Sequence, residues 1–185
     1  MGQLGGVWLV IGIQAAGKSS VADALARRFE LGVHVRGGQF YRWAVRGWSH
    51  PASDGDANPD VRNHLDLRYR LSASVADQYA EAGFTTVVQD NLFGSDVTTW
   101  LGQVRARPLH LVVLCPRVEV VALRDQARKA ATGKVAYADG GFTIAGLDMA
   151  LRSTPRVGLW WDNSDETVEA TVDAILARAD NALIG

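Results

Sequence analysis

The string Gly12-Ile13-Gln14-Ala15-Ala16-Gly17-Lys18-Ser19 constrains this chain more than any other stretch of it. It matches G-x-x-x-x-G-K-[ST], a loop that wraps phosphate groups. The match begins where an apolar, β-branched run, Val7–Ile13, ends. It opens onto a helical pattern with apolar residues at Val21, Ala24, Leu25 and Phe29. A strand, a glycine-rich turn and a helix are the context such a loop needs. Glycines at positions 12 and 17 let the backbone curl until several N–H groups face one phosphate. The helix adds the positive end of its dipole. Gly12, Gln14, Ala15, Ala16, Gly17, Lys18, Ser19 and Ser20 are therefore the residues expected against a nucleoside triphosphate. Lys18 would neutralise the outer phosphates, and the Ser19 hydroxyl would bind magnesium.

The rest of the chain alternates short apolar runs with longer helical patterns, which predicts an α/β protein with a parallel sheet. Strands are expected at Val7–Ile13, Gly32–Val35, Phe84–Gln89, Leu109–Leu114 and Val157–Trp161. Helices are expected at Lys18–Phe29, Phe40–Trp48, Asp60–Ala82, Val97–Arg105, Arg117–Ala130, Ile144–Arg152 and Glu166–Ala179. Five strands with crossover helices in 185 residues make one domain spanning 1–185. With 48% apolar residues the chain can build a core without disulfides. It has one cysteine, Cys115, so an internal disulfide is excluded and a reducing compartment is the natural home. The apolar run Val7–Ile13 is far shorter than the roughly 20 residues of a membrane helix. The expectation is a soluble cytoplasmic protein. A net charge of −1 argues against a general nucleic-acid binder.

The phosphate loop near the N-terminus, the chain length and the five-strand pattern resemble the small P-loop kinases. Within them the chain is most similar to the chloramphenicol-phosphotransferase-like and zeta-toxin-like branch. The resemblance implies a three-layer α/β/α P-loop NTPase fold with a five-stranded parallel sheet in the order 2-3-1-4-5. It implies ATP and Mg2+ as cofactors and transfer of the γ-phosphate to a hydroxyl of a small molecule. It also implies an arginine-bearing lid at about 117–143 and an acceptor-binding region at about 36–82.

Carried onto this sequence, the resemblance assigns Asp90, at the end of the third strand, to catalysis and to magnesium. It assigns Arg124 and Arg128, one helical turn apart, to the transferring phosphoryl group. Asn163, in Trp161-Asp162-Asn163-Ser164, falls on the turn that borders the adenine ring. The sequence departs from the pattern after the second strand, where related kinases carry an aspartate. Here that stretch reads Val35-Arg36-Gly37-Gly38-Gln39-Phe40. Gln39 can orient a hydroxyl but cannot take its proton. Asp90, or the loop pair Asp54 and Asp56, would then be the base.

The region between the second and third strands is rich in aromatics and arginines. Gln39, Arg42 and Arg68 are the acceptor-binding candidates, beside flat walls such as Tyr41 and Trp43. An antibiotic, a nucleoside or a related metabolite fits such a site. Two other readings stay open. One is a kinase for nucleotides or nucleic-acid 5′ ends; the other is an ATP-binding regulator that transfers nothing, motivated by the missing aspartate. The N-K-x-D string of base-reading GTPases is absent.

Overall fold

A computed structural model describes residues 6–51, 58–133, 137 and 141–185. Asp54 and Asp56, the loop pair offered as an alternative base, lie outside the described residues. The elements follow in the order β1 (Val7–Gly12), α1 (Lys18–Ala26), β2 (Gly32–Arg36), a 3-10 segment (Gly37–Trp43), α2 (Pro59–Glu81), β3 (Thr85–Asp90), α3 (Ser95–Gln103) and β4 (Leu109–Leu114). Then come α4 (Val118–Thr132), α5 (Ile144–Arg152), β5 (Leu159–Trp161), α6 (Val168–Ala177), α7 (Ala179–Ala182) and β6 (Leu183–Ile184).

The sheet has the parallel order β2-β3-β1-β4-β5, the expected 2-3-1-4-5, with β6 added antiparallel to β4. β1 and β4 are buried along their whole length, which is why their sequences, His110 apart, are apolar rather than alternating. Right-handed crossovers put α1 on one face of the sheet and α2 with α3 on the other. The chain leaves β1 towards β2 and β3 and later returns on the opposite side through β4. The loop after β1 therefore stands at the switch point, where a crevice opens beyond the strand ends.

Three sequence expectations are corrected. The helix expected at Phe40–Trp48 is a 3-10 segment over Gly37–Trp43. It stops because Ala44 is extended and Gly47 takes a left-handed φ of 82°. The fifth strand begins at Leu159 rather than Val157. Gly158 turns there with φ 70°, and its backbone passes so close to Leu111 that an added Cβ would sit 2.5 Å from that residue's carbonyl. The strand β6 was not expected. Two residues carry no period, and only their pairing with Leu109 and His110 makes them a strand.

No helix among the described residues is long and apolar enough to cross a membrane.

Candidate active site

The phosphate loop joins β1 to α1 with the predicted backbone. Gly17 precedes the helix in a left-handed conformation, φ 95°, and Ala15 takes φ 62°. An alanine held there costs on the order of 1–2 kcal/mol. The core that fixes β1 and α1 on either side sustains that strain, a pattern typical of ligand loops. Gly12 is pressed against β4, where a Cβ would meet the Leu114 carbonyl at 2.6 Å.

Lys18 is buried, and its Nζ donates to the Ile13 carbonyl at 2.7 Å, so it spans its own loop. Burial lowers its pKa to about 7, against the pull of Asp90, which favours the charged form. Ser19 and Ser20 are exposed at the start of α1. The Ser19 hydroxyl makes one long hydrogen bond, 3.3 Å, to Gln89 Oε1. It is thus available to a magnesium ion that arrives with the triphosphate. Magnesium keeps most of its waters and needs few protein ligands. Among the described residues there is no cluster of three acidic, histidine or cysteine side chains that could hold a metal independently.

Two distant segments brace the loop. Asn163 Nδ2 donates to the Ala16 carbonyl at 3.1 Å. Arg124 Nη1 donates to the same oxygen at 3.4 Å, and its Nη2 donates to the Asn163 carbonyl at 2.8 Å. The sequence assigned Asn163 to a base-bordering turn and Arg124 to the phosphates. In the structure both are, first, props for the phosphate loop. Arg128, one turn further along α4, donates to Asp125 Oδ1 at 2.6 Å. Tyr137 adds a hydroxyl bond to the Gln14 carbonyl at 2.7 Å.

Asp90 sits at the end of β3, at the site but lining neither of its cavities. It is not a helix cap, because α3 starts only at Ser95 with Gly94 before it. Oδ1 accepts from Arg68 Nη2 at 2.6 Å and from the Asn91 amide at 2.7 Å. Oδ2 is buried without a partner under Gly37, where a Cβ would lie 1.9 Å away. That close approach leaves no room for a side chain at position 37. Burial pushes the Asp90 carboxyl up, and Arg68 pulls it back.

Two cavities result. The first, about 920 Å³, is lined by Lys18, Ser19, Ser20, Arg42, Arg124, Arg128 and Asn163. The second, about 710 Å³, is lined by Tyr41, Leu65, Arg68, Tyr69, Phe93, Phe142 and Leu147. Gln14, Tyr41 and Asn91 belong to both, so the cavities meet beside the phosphate loop. Arg42 thus falls in the first cavity and Arg68 in the second. Gln39 is exposed, accepts from Arg42 Nη1 at 3.2 Å and lines neither. The sequence reading missed the wall built by α5, including Leu147, Met149 and Ala150. The spacing of Ile144, Leu147 and Leu151 marks an amphipathic helix there, but not the cavity it faces. None of the six tryptophans lines either cavity.

A family model described as an AAA domain matches residues 7–140. No curated protein sequence matches the chain closely enough to count as a relative. Among solved structures, the chain is similar to a sugar kinase from Janibacter sp. HTCC2649, with 16% identity, 95% of each chain covered and a TM-score of 0.59. It is also similar to a gluconokinase from Sinorhizobium meliloti 1021, with 19% identity, 95% of this chain and 91% of that one covered, and a TM-score of 0.57. A shikimate kinase from Bacteroides thetaiotaomicron aligns at 12% identity and a TM-score of 0.57 over 95% of this chain and 99% of that one. The phosphate loop, the strand order and the matched span agree: the chain belongs to the AAA domain family and has the fold of the small P-loop kinases.

Proposed function

We propose that this protein is an ATP-dependent phosphotransferase, soluble and cytoplasmic, which moves the γ-phosphate of Mg·ATP to a hydroxyl of an uncharged small molecule. The observation that carries this reading is the junction of the two cavities at Gln14, Tyr41 and Asn91. A triphosphate on the loop would present its last phosphorus at that junction, facing whatever fills the second cavity. The acceptor oxygen forms the new P–O bond as the bond to the β-phosphate oxygen breaks. ADP leaves, and the hydroxyl gives up its proton.

The residues divide that work. Lys18 and the backbone of the loop would hold the phosphates, and the Ser19 hydroxyl would be a ligand for the magnesium that accompanies them. Arg128 is paired with Asp125 but, unlike Arg68, keeps a partly exposed side chain, and it would exchange that partner for the charge that develops on the transferring group. Asp90 is the acidic group that Lys18 feels most strongly. It serves as an electrostatic partner of Lys18; because it lines neither cavity, the acceptor's proton passes to an oxygen of the transferred phosphoryl group and from there to water. Phosphoryl transfer relies mainly on positioning and charge, so a weak base suffices.

The acceptor is uncharged because the cavity's guanidiniums are already engaged. Arg68 is held by Asp90, and Arg62 by Asp96 at 2.8 Å and by Asp66. The same pairing disfavours a nucleic-acid 5′ end, which needs a free basic track. It also favours a second reading, a nucleotide-binding protein without transfer, since Asp96 and Asp90 are both paired.

Phosphorus NMR of the protein with Mg·ATP and a mixed panel of nucleosides, antibiotics and sugars tests the choice. A phosphoester signal that disappears in Lys18→Ala is expected. Bound ATP with no ester from any acceptor would favour the second reading.

A further inference from the structure

The nucleotide cavity has a direction. One end is shared with the acceptor cavity, and a transferable phosphate must lie there. The other end is built by the segment after β5 and the start of α6, where Glu166, Thr167, Val168 and Thr171 form the wall. A triphosphate laid across the loop from the first end places its base at the second.

Glu166 is held there in one orientation. Its Oε2 accepts from the Trp161 indole Nε1 at 2.7 Å and from Thr171 Oγ1 at 2.9 Å. Thr171 is buried in α6, and the Arg178 guanidinium lies 4.6 Å over the Trp161 ring, so neither donor is free to wander. The second oxygen, Oε1, receives no hydrogen bond from the described residues and is not sealed from solvent.

We propose that Glu166 reads the nucleotide base and selects adenine, with Oε1 accepting from the 6-amino group. This rests on the kinase reading of the cavity. Guanine and hypoxanthine present a carbonyl oxygen at that position, and two acceptors facing each other repel. Guanine could pair its N1–H and 2-amino group with a carboxylate only by using both oxygens. Oε2 already accepts two bonds, so that pairing would displace Trp161 or Thr171.

The local pattern also fixes what Glu166→Gln would do. An indole N–H only donates, so the glutamine oxygen is captured by Trp161 and its amide nitrogen is left facing the base. An acceptor becomes a donor, and the preference turns from the 6-amino group towards a 6-carbonyl.

The test is calorimetric titration of the full chain with Mg·ATP, Mg·ITP and Mg·GTP, without acceptor. The wild type is expected to bind ATP roughly tenfold or more tightly than ITP, the value of one hydrogen bond to a charged group. Glu166→Gln is expected to abolish or reverse that ratio. Equal affinities for ATP and ITP in the wild type, a comparison that needs no variant, would overturn the assignment while leaving the kinase reading intact. So would an unchanged ratio in Glu166→Gln. Failure to bind any triphosphate would overturn the kinase reading and this inference with it.

Discussion

Arg68 Nη2 donates to Asp90 Oδ1 at 2.6 Å, and only 8% of Arg68 and 3% of Asp90 is exposed. An ion pair so far from water is weak evidence of net stability, because each charge loses its hydration. Breaking it from one side is another matter. Arg68→Ala leaves a buried carboxylate, and Asp90→Asn a buried guanidinium, each expected to cost about 3–5 kcal/mol. Removing both together should cost clearly less than the sum. Denaturant unfolding of the two single variants and the double one measures this. Additive losses would mean that the pair is not coupled.

The two α4 arginines, Arg124 and Arg128, should separate in kinetics. Arg124 is bonded to Ala16 and Asn163, so Arg124→Ala loosens the nucleotide site and should raise the KM for ATP. Arg128 contacts Asp125 rather than the loop. Arg128→Ala should lower kcat by roughly a hundredfold with little change in KM, as expected for a group engaged in the transition state. Steady-state kinetics at varied ATP decides it. The opposite split would exchange their roles.

Lys18 titrates within the working range, because burial lowers it to about 7. Below that pH its ammonium is charged and ready for phosphate. Above it, Lys18 is neutral in the free protein and a bound triphosphate must recharge it. Binding Mg·ATP at about pH 8, where the γ-phosphate has lost its own proton, should therefore draw a proton from solvent. Affinity should fall by up to about tenfold per pH unit above that range. Calorimetry in two buffers of different ionisation enthalpy counts the proton. Uptake that persists in Lys18→Ala would place the titrating group elsewhere.

How much of this site could be read in advance depends on the range of the interactions that build it. The phosphate loop was legible because its geometry is local: a strand end, two permissive glycines and a helix start, all within Val7–Ala26. The two central strands, β1 and β4, were legible for a similar reason, since strands buried on both faces are mostly apolar. The second cavity was read less well. Gln39 was placed on the acceptor by its chain position, yet the 3-10 segment turns it outward onto Arg42. Met149 and its helix gave an amphipathic signal with no hint of which cavity they would wall.

The sequence alone determined that this chain carries a phosphate-wrapping loop on an α/β sheet, because backbone curvature, helix dipole and strand burial are written in consecutive residues. The tertiary structure alone decided what surrounds that loop. Asn163 reaches Ala16 across 147 positions, and Arg68 reaches Asp90 across 22. Such pairings come from the order of strands in the sheet and from crossover handedness. No local pattern records them, because burial and charge are properties of the assembled neighbours rather than of the residue.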